Sequence, residues 1–309
     1  MQSKTELEGI IPAVVTPLTE DNQLHIDNLQ LHIRTVLDEG CHGILLLGTT
    51  GEGPSLSIDE RLTVIEAGVE AAVDKVVLVN TGCASLEDTK ALTERAFELG
   101  VDAVVVVPPF YYKKITTGGL LEYYLRLLAE AVPDDGTLML YHIPQVTKVP
   151  ITLELLEGLL DAHPDRIAGV KDSSGDFEHL KTLCSRFPDL SIFAGTDHLL
   201  LSGLRHGAAG CITAPSNILA PLNLAVFSAF KKQEFAEELQ ESLTAARVIF
   251  EKFTPFPATV KHLLAIRYGT TGWNLRPPLV PLPPEDQQVL QRDLAESGLE
   301  LWLHWLNPT

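Results

Sequence analysis

Short apolar segments bounded by turn-forming residues recur along the first two thirds of the chain. Most of them are rich in Val, Ile and Leu and show no alternation with polar residues. This pattern is typical of strands that are buried on both faces. The segments predicted to be strands are residues 11–15, 43–47, 76–80, 103–107, 138–143, 167–171, 191–194 and 210–213.

Amphipathic segments with helical spacing lie between these apolar segments. One of them, residues 58–73, is preceded by Ser57 and carries Glu60, the pattern of a capping box. Others span residues 86–99, 153–160 and 198–205. Strand-like segments that are each followed by a helix-like one predict an α/β fold, a (β/α)8 TIM barrel. A doubly wound open sheet is the competing architecture, although it would not usually need eight such regular repeats.

The pattern changes after about residue 231. The segments that follow are a charged amphipathic helix (232–252), a proline-marked break (254–257), a helix that ends near 268, a proline-rich stretch (276–284) and a last helix from about 285. We therefore predict a barrel that carries the catalytic site at residues 1–231 and a C-terminal helical region at residues 232–309. This region would pack on the barrel or on a neighbouring subunit.

The composition is that of an ordinary globular protein, with 309 residues, 45% hydrophobic and 21% charged. The formal net charge of −18 disfavours binding to nucleic acid or to anionic membranes. The N-terminus lacks the apolar core of a signal peptide, and no apolar run approaches the length of a membrane span. The four cysteines show no metal-site spacing and are interpreted as reduced thiols. These features predict a cytoplasmic protein without a metal site.

Three predicted strand ends carry residues suited to chemistry, at the end of the barrel where active sites lie. The second strand leads into residues 48–53, GTTGEG, whose amides and hydroxyls could cradle a carboxylate; a glycine-rich loop without a ligand is the alternative. The fifth strand contains Tyr141, which could also be a plain core aromatic. The sixth ends in Lys171, which could equally reach solvent or pair with Asp172.

The residues at these three strand ends together favour covalent chemistry. Burial disfavours the ammonium form, so a buried lysine can be neutral, attack a ketone and form an iminium. An iminium stabilises the carbanion that forms when an adjacent carbon–carbon bond breaks or forms. Lys171, Tyr141 and the loop at 48–53 would supply a nucleophile, a proton shuttle and a carboxylate holder. This combination predicts an aldolase-type lyase or synthase that acts on a 2-keto acid.

At these motifs the chain resembles the family of dihydrodipicolinate synthase and N-acetylneuraminate lyase, which are class I pyruvate-dependent aldolases. The similarity covers nearly the whole chain. The motifs that carry it lie at residues 12–17, 48–52, 109–111, 141–144, 169–174, 194–197, 210–213 and 276–282. The resemblance implies that the partners are a 2-keto acid such as pyruvate and an aldehyde. It also implies that no cofactor or metal is needed and that the protein is a homotetramer, a dimer of dimers.

The resemblance further implies a catalytic role for four residues. Lys171 would form the Schiff base, and Tyr141 would act as general acid and base next to the substrate carboxylate. Thr49 would link Tyr141 to Tyr111 in a proton relay. Tyr111 would reach this relay from an adjacent subunit.

The resemblance also implies how the substrates are held. Thr49 and Thr50, with Gly48 beside them, would bind the carboxylate of the keto acid, and the backbone of Ile212 would face the ligand. The chain departs from the synthase pattern at Val146, where synthases usually carry an arginine that grips the carboxylate of the aldehyde substrate. A valine cannot make that contact.

We therefore predict a Schiff-base lyase that acts on 2-keto-3-deoxy sugar acids, 4-hydroxy-2-oxoglutarate or a related aldol. One alternative is 4-hydroxy-tetrahydrodipicolinate (dihydrodipicolinate) synthase. Another is a keto-deoxy sugar acid dehydratase, since the same iminium supports loss of water. A non-enzymatic alternative is a barrel that senses a keto acid, and the intact set of four catalytic residues argues against it.

Overall fold

Eight parallel strands form a nearly closed barrel in the computed structural model, which describes residues 7–299 and 301–306. The strands are β1 Gly9–Pro12, β2 Gly43–Leu46, β3 Val76–Asn80, β4 Ala103–Val106, β5 Thr137–His142, β6 Ile167–Asp172, β7 Ser191–Ala194 and β8 Gly210–Thr213. Successive strands from β2 to β8 pair with each other, and β8 also pairs with β1. A single bridge between Ala13 and Leu45 joins the two remaining edges. The predicted (β/α)8 TIM barrel with C-terminal helices is confirmed.

The helices alternate with the strands and then continue beyond the last strand. They are α1 Ile26–Asp38, α2 Ile58–Ala71, α3 Leu86–Glu98, α4 Thr117–Glu130, α5 Pro144–Thr147, α6 Leu153–Ala162, α7 Phe177–Arg186, α8 Leu200–Leu204, α9 Ser216–Lys231, α10 Glu237–Glu251, α11 Phe256–Tyr268 and α12 Pro284–Ala295. The predicted capping box at Ser57 and Glu60 is present. The helix predicted from residue 232 begins only at Glu237, because Gln233 has a φ of 60° and turns the chain after α9.

Two apolar layers hold these elements together. The side chains that fill the barrel include Leu78, Val105, Met139 and Phe193. A larger cluster packs between the strands and the outer helices and continues into the C-terminal helices, where it includes Leu243, Phe250 and Leu264. The C-terminal helices therefore share a core with the barrel, and the division of the chain at residue 231 remains a prediction. Among the described residues, no helix is both long enough and apolar enough to cross a bilayer.

One irregularity in the sheet determines which side chains β6 presents to the barrel interior. The register between β5 and β6 shifts after Leu138 and leaves Ala168 as an extra residue on β6. Ala168 belongs to the interior cluster, and Lys171, three residues later, also lines an interior cavity. Strict alternation would place these two side chains on opposite faces. Gly169 permits the bulge, because a Cβ atom there would lie 1.9 Å from the carbonyl oxygen of Ser191.

A buried ion pair joins the loop after β2 to the C-terminal region. Glu52 and Lys261 are 2% and 1% exposed, and the Lys261 amine donates hydrogen bonds to Glu52 and to the carbonyl of Asn274. The backbone N–H of Arg276 donates to the other oxygen of Glu52 at 3.0 Å. Burial lowers the pKa of Lys261, against the opposing effect of the Glu52 charge. The glycine-rich loop is thereby fastened to α11 and to the chain that follows it.

We expect Lys261→Met to destabilise the protein by about 3–5 kcal/mol, because it leaves the Glu52 carboxylate buried without its counter-charge. Chemical denaturation followed by circular dichroism measures the change. Lys232→Met is the matched control, since Lys232 is exposed at the end of α9. Equal stability of the two variants would contradict the assigned importance of the pair.

Candidate active site

A cavity of about 520 Å³ opens at the C-terminal ends of the strands. Its inner wall is formed by side chains from the ends of β5, β6 and β8 and from the loop after β2. Its outer wall is formed by α10 and by the segment that leads into α11. A cavity of this size, placed at this end of a (β/α)8 barrel, is where the active site is expected.

Lys171 and Tyr141 face each other on adjacent strands inside this cavity. They are register partners on β6 and β5, and each is only 3% exposed. The Lys171 amine nitrogen lies 4.2 Å from the centroid of the Tyr141 ring. The lysine therefore neither snorkels to bulk solvent nor pairs with Asp172, whose carboxylate contacts His179 instead. An amine and a phenol thus meet at buried positions in the wall of this cavity.

The environment of Tyr141 lowers the pKa of its phenol. Burial on its own raises this pKa, but the positive charge of Lys171 and hydrogen bonds with Thr49, Lys171 and Ser173 outweigh it. The Thr49 hydroxyl lies 3.4 Å from the phenol oxygen. A phenol with a lowered pKa that sits beside the amine is suited to exchange protons with a ligand bound there.

The loop at 48–53 brings two of its three predicted binding residues to the cavity. Thr49 and Thr50 line the cavity, whereas Gly48 does not. The carbonyl of Gly48 accepts a hydrogen bond from the N–H of Gly53 at 3.2 Å, so its contact closes the loop. Ile212, fully buried at the end of β8, lines the cavity as expected.

Tyr111 is not brought to the other predicted residues within one chain. Its side chain is 72% exposed, and its ring packs edge-on against Tyr112 with centroids 5.3 Å apart. It lies outside the lining of the cavity that contains Thr49. Its participation in a relay from an adjacent subunit therefore remains a prediction.

Several cavity residues were missed in the sequence. Arg247 and Glu251 on α10 line the cavity, as do Gln145 and Ser173. The Gln145 amide donates to the backbone carbonyl of Ser173 at 2.6 Å. The neighbouring Val146 is 57% exposed and does not line the cavity. The only sequence signal for the α10 pair was the i, i+4 spacing of opposite charges, which is common on solvent-exposed helices.

A cluster behind Lys171 groups three side chains of the kind that bind metals. Among the described residues, His142, Asp172 and His179 offer ligand atoms that all lie within 4.8 Å of one another. The Nδ1 atom of His142 accepts a hydrogen bond from the N–H of Ile151 at 3.0 Å. A neutral imidazole has one unprotonated nitrogen, so His142 in this arrangement has no lone pair left for a metal.

The cluster instead supports the charge of Asp172, the residue that follows Lys171. Nδ1 of His179 lies 2.9 Å from the Asp172 carboxylate, and this hydrogen bond raises the pKa of His179. The ring of His142 stacks on that of His179 with centroids 4.5 Å apart. Burial lowers the pKa of His142 to about 4, so His142 remains neutral beside its partner.

Comparison with known proteins finds a matching family and named relatives. The model of the dihydrodipicolinate synthetase family matches residues 6–297. An uncharacterized DapA-like lyase of Chloroflexus aurantiacus is 44% identical over 287 residues, which cover 93% of this chain and 95% of that protein. The N-acetylneuraminate lyase of Pongo abelii is 32% identical over 303 residues, covering 96% and 93% of the two chains.

A solved structure shows the same architecture. YagE, a prophage protein of the dihydrodipicolinic acid synthase family from E. coli K12, was solved in complex with pyruvate. It superposes with a TM-score of 0.89 at 25% identity, covering 95% of this chain and 99% of that one.

A (β/α)8 barrel with a lysine and a tyrosine paired at its mouth, together with relatives named as lyases, defines an enzyme of the carbon–carbon lyase and synthase class. The chain belongs to the dihydrodipicolinate synthetase family. The resemblance inferred from the motifs is therefore confirmed, as is the prediction that the protein is an enzyme.

We expect the stabilising effect of His179 to depend on pH. Because its pKa is raised in the folded protein, this stabilisation is fully present below the ordinary histidine pKa of about 6.5 and declines as pH rises through the raised value. The difference in unfolding midpoint between the wild type and His179→Gln should be larger near about pH 6 than near about pH 9.

Thermal unfolding across this pH range measures the effect. His206→Gln is the control, because His206 is exposed and its ring contacts the backbone carbonyl of Ser202, not a carboxylate. A difference for His179→Gln that does not change with pH would refute the assigned charge pairing.

Proposed function

We propose that the protein is a Schiff-base lyase that cleaves or forms the bond between C3 and C4 of a 4-hydroxy-2-keto acid, with pyruvate as the keto-acid product or substrate. The observation that carries this proposal is the pairing of Lys171 and Tyr141 in one buried cavity, with the Thr49 hydroxyl beside the phenol. The substrate would be a 2-keto-3-deoxy sugar acid, 4-hydroxy-2-oxoglutarate or a related aldol.

The chemistry begins with attack of the Lys171 amine on the C2 ketone. Tyr141 donates the proton with which the oxygen of the addition product leaves as water, and the iminium that remains carries the positive charge needed to accept electrons. Tyr141 takes the proton from the C4 hydroxyl, the C3–C4 bond breaks and an aldehyde departs. The electrons of that bond move into the iminium and form an enamine. Protonation at C3 followed by hydrolysis releases pyruvate and restores the amine.

The residues around the lysine are suited to hold the keto acid. Thr49 and Thr50 present hydroxyls on the loop that Glu52 fastens to the C-terminal region, so the loop is pre-organised before a ligand binds. These hydroxyls and the loop amides can receive the carboxylate at C1. Ile212 contributes an apolar surface to the same cavity.

Oligomerisation and location belong to the same proposal. Tyr111 and Tyr112 are both 72% exposed, and large exposed aromatics favour a contact between subunits. We therefore propose a homotetramer in which Tyr111 of one subunit approaches Thr49 of another. The four cysteines are buried and form no disulfide, which supports a cytoplasmic location.

We expect pyruvate and borohydride to leave a reduced adduct on Lys171, detectable by peptide mass spectrometry. The Lys171→Ala variant should show no adduct, and Lys181→Ala, which alters an exposed lysine on α7, should be modified like the wild type. Absence of an adduct in wild-type protein, with pyruvate and with keto-deoxy acids alike, would overturn the proposed function and favour a non-covalent sensor.

We expect Tyr141→Phe to separate binding from turnover. The variant keeps the aromatic ring beside Lys171 but loses the proton-transfer group, so pyruvate adducts should still be trapped. The turnover number for aldol cleavage should fall by about 10²–10⁴-fold. Cleavage is measured as pyruvate release in a coupled assay. Near-normal turnover of the variant would exclude Tyr141 as the proton shuttle.

A further inference from the structure

The cavity contains a second, charged wall that the reaction at Lys171 does not use. Arg247 and Glu251 project from α10 and line the same cavity as Lys171, together with His198. Neither Arg247 nor Glu251 belongs to a barrel strand or to any motif that suggested the chemistry. Their position on the outer wall places them where the part of a substrate beyond the reacting carbons would lie.

Arg247 is held rigidly by its surroundings. It donates from Nη1 to the fully buried carboxylate of Asp197 at 3.1 Å and from Nε to Glu251 at 2.9 Å. The guanidinium carbon lies 4.6 Å from the centroid of the Phe256 ring. Asp197 in turn accepts a hydrogen bond from the Thr213 hydroxyl at 2.7 Å. A planar group fixed in this way is pre-organised to discriminate between ligands.

The net charge of this wall does not favour the binding of an anion. One guanidinium faces two carboxylates, Asp197 and Glu251, so these three side chains carry a formal charge of −1. The Nε2 atom of His198 lies 3.3 Å from the same oxygen of Glu251 that Arg247 contacts. A second carboxylate on the substrate would meet the charge of Glu251, whereas a hydroxyl can donate to it.

We propose that the Arg247–Glu251 pair determines substrate specificity by accepting an uncharged, hydroxyl-bearing tail and disfavouring a second carboxylate. This inference rests on the function proposed above and narrows it to 2-keto-3-deoxy sugar acids over 4-hydroxy-2-oxoglutarate. The reacting half of the two substrate classes is the same, so selection between them occurs only at the outer wall.

The test compares a six-carbon 2-keto-3-deoxy sugar acid with 4-hydroxy-2-oxoglutarate. Each is measured in two ways: by its rate of cleavage and by the yield of the reduced adduct of the intact keto acid on Lys171, which peptide mass spectrometry separates from the pyruvate adduct. We expect wild-type protein to favour the sugar acid by at least about tenfold in both measurements, through like-charge repulsion of the dicarboxylate.

The variant Glu251→Gln removes one negative charge while keeping the shape of the side chain, which is partly exposed. We expect the preference for the sugar acid over 4-hydroxy-2-oxoglutarate to fall by roughly tenfold. Glu241→Gln, an exposed position on the same helix outside the cavity lining, should behave like the wild type.

The outcomes separate the two proposals. If wild-type protein traps pyruvate at Lys171 but favours the dicarboxylate, or if Glu251→Gln leaves the preference unchanged, the specificity proposal is wrong and the lyase proposal stands. If no keto acid is trapped, both proposals fail together.

Discussion

The buried ion pair between Glu52 and Lys261 is the constraint on which the shape of the site depends. Removing two charges from water is costly, and the mutual attraction of the pair offsets this cost only when both groups are close and their remaining hydrogen bonds are satisfied. Here the amine also donates to Asn274 and the carboxylate also accepts from Arg276. Any relative shift of the loop after β2 and the C-terminal region would break these contacts at once. The loop after β2 and α11, which contribute to the two walls of the cavity, are therefore fastened to each other.

The inner wall illustrates how barrel geometry and local electrostatics act together. Closure of the barrel makes Tyr141 and Lys171 neighbours on paired strands, and the bulge at Ala168 turns the lysine inward. Once both are buried, their interaction is screened far less than it would be in water. The amine lowers the pKa of the phenol despite burial, and the phenol in turn provides the amine with an aromatic face.

Much of the fold and of the inner wall could be predicted from the sequence, because both depend on hydrophobic patterns within single elements and on motifs at the ends of single strands. Uninterrupted apolar segments located the strands, and the rule that barrel sites lie at strand ends brought Thr49, Tyr141 and Lys171 together. The bulge could not be predicted, since one extra residue in a buried strand leaves no trace in its hydrophobic pattern. The predicted start of α10 was five residues too early. The turn before it has a positive φ at Gln233, and a positive φ is signalled in a sequence by glycine, which is not the residue at this position. Substrate binding by Gly48 remains a prediction: Gly48 does not line the cavity, and its carbonyl accepts the hydrogen bond that closes the loop, a contact that the motif does not reveal.

The residues of the outer wall could not be predicted from the sequence for a different physical reason. This reason also matters for substrate specificity. Arg247 and Glu251 owe their place in the cavity to the packing of α10 against the barrel, a contact between segments distant in the chain. Their spacing alone is that of an ordinary surface ion pair. The inner wall, built from strand ends, is set by the barrel itself, and in the proposed function it holds the 2-keto acid half that these substrates share. The outer wall is set by an added helix. Its partly exposed Glu251 can change without disturbing the strands, whereas Arg247 is tied through Asp197 to Thr213 of β8. Under the specificity proposal, discrimination between substrate tails can therefore vary among barrels that share the same lysine and tyrosine. In this chain the proposal assigns it to α10, since the exposed Val146 lies outside the cavity lining.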